Sequence, residues 1–262
     1  MPTILITGGA GFIGSNFVRY ISVNRPTWKM VIVDSLTYAG NLENIEDILS
    51  TRNHNFCKVD ITDSVNIEKL FRLHKPTLLV NFAAESHVDR SLINAAPFIS
   101  TNIMGPEVLL TLSRKQGIDR FLQVSTDEVY GSAGQGENFS ETSPLNPTSP
   151  YAASKAAADL LALAHHRTFG TPVLITRSSN NYGPYQFPEK LIPLSILRLL
   201  EGYSIPIYGD GTNVRDWIYV EDHCKALLRI LEKGVVGSIY NIGANQEETN
   251  LNLIDSKNQL TN

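Results

Sequence analysis

The stretch Thr3-Ile4-Leu5-Ile6-Thr7-Gly8-Gly9-Ala10-Gly11-Phe12-Ile13-Gly14 decides the fold. Thr3 to Thr7 is a short apolar segment of strand type, and Ile13, Phe17, Val18 and Ile21 then recur at helical spacing. Between them lie the glycines of a strand-to-helix turn. Gly8 permits the tight turn, Gly11 lets the backbone approach a pyrophosphate, and Gly14 lets helix and strand pack closely. The start of the helix presents free N–H groups and a partial positive charge to such a group. A glycine pattern by itself is a weak signal; the strand before it and the helix after it supply the context it needs.

The same alternation continues outward. Met30 to Asp34 and Phe56 to Asp60 read as the second and third strands, and Asn66 to His74 carries Ile67, Leu70 and Phe71 on one helical face. Thr77 to Ala84 is a fourth strand, Arg120 to Ser125 a fifth and Val173 to Arg177 a sixth. Phe98 to Gln116 reads as a long helix ending at Gly117, and Tyr151 to Phe169 as an Ala/Leu-rich helix stopped by Gly170. Near-continuous apolar strands between amphipathic helices predict a parallel sheet covered on both faces, the doubly wound, Rossmann-type α/β fold. Gly105-Pro106 interrupts the long helix. Proline inside a helix costs about 3 kcal/mol, so the segment either kinks there or is two helices.

Residues 131–150, rich in Gly, Ser, Asn and Pro, read as a surface loop. From Ser178 the pattern turns irregular. A helix over Leu191 to Glu201 and short strands near Ile207 and Trp217 are expected in a smaller lobe, while Val220 to Glu232 (helix) and Ser238 to Ile242 (strand) return to the first domain. The expected division is a nucleotide domain of residues 1–177 plus about 220–243, and a substrate lobe of 178–219 plus 244–262.

Asp34 ends the second strand, twenty residues beyond Gly14. A carboxylate there accepts hydrogen bonds from the adenosine ribose and repels a 2′-phosphate, which favours NAD over NADP. Asp60, at the end of the third strand, is either an adenine-side contact or an ordinary strand-end aspartate.

Composition narrows the partners. The chain has 262 residues, 42% hydrophobic and 18% charged, with a net charge of −4. That acidic balance argues against nucleic acid and membrane surfaces as partners. No apolar run approaches the roughly 20 residues that span a bilayer, and the N-terminus does not read as a signal peptide. Cys57 and Cys224 stand far apart in no metal-ligand spacing, so no metal is expected, and two buried or half-buried thiols in a reducing cytoplasm are.

Tyr151 and Lys155 are four apart on one helix face. A neighbouring ammonium lowers a phenol's pKa, so Tyr151 could take a proton from a hydroxyl while hydride leaves the same carbon. Thr126-Asp127-Glu128 follows the fifth strand directly, at the end that faces the ligand crevice. Two adjacent acids there are costly without a task, and mutual repulsion can split them into an acid and a base.

T-G-G-A-G-F-I-G with Y-A-A-S-K resembles the extended short-chain dehydrogenase/reductase superfamily, whose members act on nucleotide sugars; the resemblance runs from Thr3 to about Asn250. Within it, Thr126-Asp127-Glu128 resembles the dTDP-glucose 4,6-dehydratase family, as does Asn180-Asn181-Tyr182-Gly183-Pro184 followed by Phe187-Pro188-Glu189-Lys190-Leu191. The resemblance implies a cytoplasmic homodimer that holds NAD as a temporary hydride store and dehydrates dTDP-glucose for deoxysugar synthesis. Tyr151 would accept the C4 hydroxyl proton with Lys155 beside it and Thr126 on the C4 oxygen. Glu128 would take the C5 proton, and Asp127 would protonate the departing C6 hydroxyl. The family's cofactor contacts fall on Gly8, Gly11, Phe12, Ile13, Gly14, Asp34, Ser35, Leu36, Thr37, Asp60, Ile61, Phe82, Ala83, Ala84, Ser86, Thr101, Tyr151, Lys155 and Asn181. Its substrate contacts fall on Ser86, Thr126, Asn180, Lys190, Leu191, Pro206, Ile207, Tyr208, Arg215 and Asn250. Arg215 suits a diphosphate, the alternative being an ion pair with Asp216 or Glu221. His87 reads as packing beside the cofactor wall, and His165 and His166 as facing solvent or the domain surface. Family members run about 70 residues further, a size suited to a complete second lobe, so the lobe is expected to be partial and its Asp255-Ser256-Lys257-Asn258-Gln259 tail a poor buried helix. The family does not usually carry proline where Pro106 stands, on the helix that by resemblance forms the dimer contact. The competing readings are a nucleotide-sugar epimerase or decarboxylase, which Asp127 opposes, and a catalytically idle NAD-binding protein.

Overall fold

The computed structural model describes residues 1–50, 54–134, 138–207 and 209–258, with 255–258 described by backbone only. In the first half β1 (Thr3–Thr7), α1 (Phe12–Asn24), β2 (Lys29–Asp34), α2 (Glu46–Leu49), β3 (His54–Lys58), α3 (Ser64–His74) and β4 (Leu78–Asn81) follow one another. Next come α4 (Val88–Ile93), α5 (Ala96–Ile99), α6 (Gly105–Gln116), β5 (Arg120–Thr126), α7 (Pro150–Phe169) and β6 (Val173–Ser178). The remainder is β7 (Asn180–Tyr182), α8 (Leu191–Leu200), β8 (Val214–Tyr219), α9 (Val220–Lys233), β9 (Ile239–Ile242), β10 (Glu247–Thr249) and α10 (Asn250–Asn258).

Seven strands form one parallel sheet in the order β3-β2-β1-β4-β5-β6-β9. Alternate residues of each strand face opposite sides. Ile4 and Ile6 pack with Phe17, Val18 and Ile21 of α1 and Leu227, Leu228 and Leu231 of α9. Leu5, Val31 and Val33 pack with Ile67 and Phe71 of α3, Leu109 and Leu110 of α6 and Ala162 of α7. This is the doubly wound fold the sequence implies. β1 lies between β2 and β4, so the crossovers diverge there and open a crevice at the strands' carboxyl ends. A second, three-stranded sheet pairs β8 with β7 in parallel and with β10 antiparallel.

Several boundaries differ from the sequence reading, each for a hydrogen-bonding reason. β3 ends at Lys58 instead of Asp60, because the ladder to β2 closes with Asp34 opposite Lys58. Asp60 instead accepts from the Thr62 N–H at 2.8 Å and begins the turn into α3. β4 ends at Asn81 rather than Ala84. Beyond it the Asn102 side chain takes both polar groups of the Glu85 main chain, at 2.8 and 3.0 Å, and draws the segment off the sheet. The helix expected from Phe98 begins at Ala96 and contains a π-helical turn, Ser100–Met104, immediately ahead of Gly105-Pro106. The wider turn lets the helical run continue past the proline, which sits in the first turn of α6, where its missing N–H is not needed. No strand forms at Ile207, whereas Trp217 lies in β8. The tail is helical to Asn258, while Gln259 and Tyr208 lie outside the described residues. The sequence reading passed over α2, α4, β7 and β10, all six residues or fewer. No described helix is long and apolar enough to cross a membrane.

Candidate active site

The carboxyl ends of β1, β4, β5 and β6 open into one cleft of about 600 Å³. Its floor is the glycine turn. Gly8 takes a positive φ of 69°, and a side chain there would strike the main chain of Ala83. A side chain on Gly14 would strike the Gly8 carbonyl. Both glycines are therefore required by the protein itself. Gly11 is not: its backbone is extended (φ −78°, ψ 179°), and a methyl group would meet only the Gly8 oxygen, at 3.4 Å. What Gly11 leaves room for lies in the cleft. Helix α1 starts beside it, with the first intrahelical bond running from Ser15 N–H to Gly11 O at 2.9 Å. The preceding N–H groups, on Phe12, Ile13 and Gly14, have no acceptor inside the helix, and all three residues line the cleft. Backbone donors, a helix dipole and a bare glycine together make an anion cradle that fits a pyrophosphate.

Asp34 stands beside the cradle, buried, with its carboxylate accepting from Ala10 N–H at 3.0 Å and Leu36 N–H at 2.8 Å. Burial raises its pKa and these bonds draw it back down. Its remaining lone pairs border the cleft along with Ser35, Thr37, Asp60 and Ile61. Leu36, expected among the cofactor contacts, does not line the cleft; with φ 53° it packs on the core below α1. Phe82, Ala83, Ala84, Ser86 and Thr101 form the opposite wall. These groups fit an NAD molecule with its pyrophosphate at Gly11 and its adenosine ribose at Asp34.

Helix α7 supplies the far end. Ser149 caps it by accepting from Ala152 N–H at 3.1 Å, Pro150 occupies its first turn, and Gly170 ends it in the left-handed conformation. Small residues on its inner face, Ala152, Ala156 and Ala158, let it lie close to β5. Lys155, 5% exposed, therefore reaches the sheet and donates to Val124 O at 2.6 Å. Burial lowers its pKa to about 8, and Asp159 one turn on works against that shift. Tyr151 lines the cleft one turn earlier.

Here the structure corrects the sequence reading. The phenol of Tyr151 is not made acidic by Lys155. Its pKa is raised, first by burial, then by the charges of Glu128 and Asp127, with the Thr126 hydroxyl the one group opposing them. Lys155 is turned to the β5 carbonyl and is not among the groups that shift the phenol.

Thr126 ends β5, and its hydroxyl accepts from Glu128 N–H at 3.3 Å, which folds residues 127–130 into one 3₁₀ turn. Glu128 points into the cleft and is exposed to it. Asp127 does not line the cleft; it sits beside Thr126, whose hydroxyl donates to it at 3.2 Å. Both carboxyls are raised, and loss of solvation is the main cause for each, Asp127 by being set back from solvent and Glu128 by the cleft walls that surround it. Repulsion from Asp127 enters for Glu128, second to burial, and the mutual push expected from the sequence is the smaller effect.

Asn180, Asn181, Lys190, Leu191, Pro206, Ile207, Arg215 and Asn250 border the same cleft from the other side. Lys190 donates to Ser86 O at 3.0 Å. Arg215 is exposed and makes no ion pair among the described residues. Asp216, offered as its partner, instead accepts from Ala244 and Gln246 N–H at 2.8 and 2.7 Å. His87 lies 3.6 Å from Glu189 at the cleft wall. His165 does not face solvent: it is buried and 3.0 Å from Glu107. No group of three or more metal-ligating side chains occurs among the described residues.

Three polar features escaped the sequence reading. Asn102, in the π turn, clamps Glu85 and also donates to Ser154 Oγ at 2.8 Å, tying the cofactor wall to α7. Asp159 and Arg177 form a buried ion pair at 2.9 Å under Lys155. His223 is fully buried against Asn181. A polar residue inside an apolar helix was the available signal for Asn102 and Asp159.

Residues 4–243 match the model of the NAD dependent epimerase/dehydratase family. A dTDP-glucose 4,6-dehydratase of Xanthomonas campestris pv. campestris (strain B100) is 49% identical over 98% of this chain and 75% of its own length. The low-salt glycan biosynthesis protein Agl12 of Haloferax volcanii is 52% identical over 95% of this chain and 79% of its own. The crystal structure of a dTDP-glucose 4,6-dehydratase from Bacillus anthracis str. Ames in complex with NAD superposes with a TM-score of 0.94 at 48% identity, covering 99% of this chain and 81% of that one. With its glycine cradle, its Tyr151–Lys155 helix and its Thr126-Asp127-Glu128 turn in one cleft, the chain belongs to the NAD dependent epimerase/dehydratase family, among the dTDP-glucose 4,6-dehydratases.

Proposed function

We propose that this chain dehydrates dTDP-glucose to the 4-keto-6-deoxy sugar. The observation that carries the reading is the meeting of Tyr151, Thr126, Glu128 and the Gly11 cradle along one cleft. NAD, when bound, supplies a hydride acceptor for C4 and a hydride donor for C6. Tyr151 takes the proton of the C4 hydroxyl, and Thr126 holds that oxygen. The C4 ketone acidifies the C5 proton, which Glu128, standing free in the cleft, removes as general base. Asp127, set back from the cleft beside Thr126, has burial that keeps a proton on it more readily; a turn of its side chain toward the cleft would let it pass that proton to the leaving C6 hydroxyl. Water departs, and a proton returns to C5 as C6 is reduced. Lys155 and Asn181 hold the nicotinamide end of the cofactor, and Asp34 its adenosine ribose. Arg215, without an ion pair among the described residues, suits the sugar diphosphate.

Residues 178–219 and 244–262 form, in this reading, the part of the nucleotide-sugar lobe that the chain contains, with 1–177 and about 220–243 as the nucleotide domain. Exposed Ile99 and Met104 beside Pro106, and Leu160 on α7, support a second copy of the chain as the partner of that face. The two unpaired cysteines agree with a cytoplasmic setting.

Incubation with dTDP-glucose should yield the alkaline absorbance of a 4-keto-6-deoxy sugar. Tight NAD binding without product would refute the reading in favour of an idle protein, and a C4-inverted sugar would refute it in favour of an epimerase.

A further inference from the structure

His223 is 0% exposed, in the first turn of α9, and its Nδ1 lies 2.7 Å from Oδ1 of Asn181. Its Nε2 is buried with no hydrogen-bond partner among the described residues. Those two facts fix the tautomer. A buried N–H without an acceptor costs more than a bare lone pair, because the carbonyl-like acceptor side is the one proteins leave under-satisfied. The proton therefore sits on Nδ1 and is donated to Asn181. Protonating Nε2 as well would create the unpaired buried donor, and burial accordingly lowers the histidine pKa to about 3. His223 is thus a permanent neutral donor and not a titrating base.

The consequence lies in the cleft. Asn181 has one acceptor and two donors on its side chain. The acceptor is taken by His223, and one donor goes to Ser179 O at 3.0 Å. Its main-chain oxygen accepts from Gln186 Nε2 at 3.1 Å, which holds the strand end as well. Asn181 borders the cleft; with its oxygen held toward His223 and one N–H toward Ser179, its second N–H is the donor left for a ligand. An amide free to turn over could offer a donor or an acceptor. This one is held in a single orientation by His223 and the Ser179 carbonyl.

We propose that His223 is a positioning residue that locks the Asn181 amide so that it presents an N–H to a carbonyl-type acceptor at the nicotinamide end of the cofactor. The inference rests on the placement of Asn181 at that end in the proposed function. It assigns a role to a buried residue that touches neither cofactor nor sugar.

Asn and Leu are close in volume, and only Asn can replace the Nδ1 donor. His223→Leu should bind NADH about five- to tenfold more weakly, as loss of one oriented hydrogen bond implies. His223→Asn should stay within about twofold of the parent protein, although both variants lose the same packing and their melting temperatures fall alike. NADH fluorescence titration reads the affinities. Equal weakening in both variants, or none in either, overturns the proposal. A measurement without substitution guards against misfolding: nitrogen-15 NMR of histidine-labelled protein should show Nδ1 protonated and Nε2 bare on the residue that His223→Asn removes. The opposite tautomer overturns the proposal. Asn181→Ala separates the two readings. If it weakens NADH and His223→Leu does not, only the role of His223 falls. If Asn181→Ala leaves NADH affinity unchanged, the placement of Asn181 at the cofactor falls, and the proposal with it.

Discussion

Replacing Gly11 and Gly14 by alanine, one at a time, should separate ligand binding from folding. At Gly11 the backbone is extended, so alanine adopts the conformation freely, and the nearest protein atom to its methyl is 3.4 Å away. Loss of the glycine helix cap costs a few tenths of a kcal/mol to about 1 kcal/mol, and a stiffer unfolded chain returns about 0.4–1 kcal/mol. The net change in stability is close to zero. The methyl nevertheless stands where a pyrophosphate must approach the helix start. Displacing the phosphates from one or two charge-assisted backbone bonds, each about 1.5–3 kcal/mol, predicts a loss of roughly 2–5 kcal/mol in NAD affinity. That is about 30-fold to several thousand-fold. At Gly14 the added methyl meets the Gly8 carbonyl group and Gly9 Cα, the last at 3.0 Å. All are main-chain atoms, so the turn itself must move, at about 1–3 kcal/mol or more of folding stability. Denaturant unfolding without cofactor and NADH titration by fluorescence read the two quantities. If Gly11→Ala binds NAD within threefold of the parent, or unfolds as readily as Gly14→Ala, the assignment of the cradle is wrong.

Lys155→Met should stabilise the cofactor-free protein at neutral pH by about 1–2 kcal/mol. The folded pKa near 8 lies below the free value of 10.5, a difference of about 3 kcal/mol at 1.36 kcal/mol per unit, from which the lost bond to Val124 O subtracts about 1 kcal/mol. The parent's unfolding free energy should correspondingly rise with pH from about 8 toward 10.5, where the unfolded chain binds the extra proton, and the variant's should not; urea unfolding across that range checks both. Asp127→Asn should slow water loss by about 10²- to 10⁴-fold while leaving the first reduction of bound NAD, followed by absorbance in single turnover, far less affected; equal slowing of both steps removes Asp127 as the acid. Tyrosinate absorbance, taken as the difference from Tyr151→Phe, should titrate at lower pH with NAD⁺ bound than with NADH bound, and coincident curves would contradict the electrostatic account of the phenol.

The elements that need only local pattern were legible in the sequence. The β1–Gly8–α1 unit, α7 from its proline start to Gly170, and the apolar strands all follow from periodicity and breakers. What escaped was set by groups distant in the chain. β4 stops at Asn81 because an amide twenty-one residues later captures Glu85, and no local window contains that bond. The Pro106 interruption was visible, but its resolution by a π turn was not, since the turn is fixed by Asn102 reaching both Glu85 and Ser154. Most of the expected site residues line the one cleft because they stand at strand ends. Their charge states were not legible, because burial decides them and the sequence carries no measure of burial.

Tyr151 shows what that gap means for the chemistry. The nearby protein groups that shift its pKa, Thr126 excepted, raise it, and Lys155, which donates to Val124 O, is not among them. A phenol so placed keeps its proton across ordinary pH. For Tyr151 to act as a base, positive charge has to arrive at the open side of the ring, and an oxidised nicotinamide carries such a charge while a reduced one does not. In the proposed mechanism Tyr151 would then be a base only toward a hydroxyl whose hydride can leave at the same moment, and would hold the proton firmly once that hydride has gone. In that mechanism the carboxylates that work against Tyr151 would thus make its proton transfer conditional on the redox state beside it, and would keep the proton in place during the elimination assigned to Glu128 and Asp127.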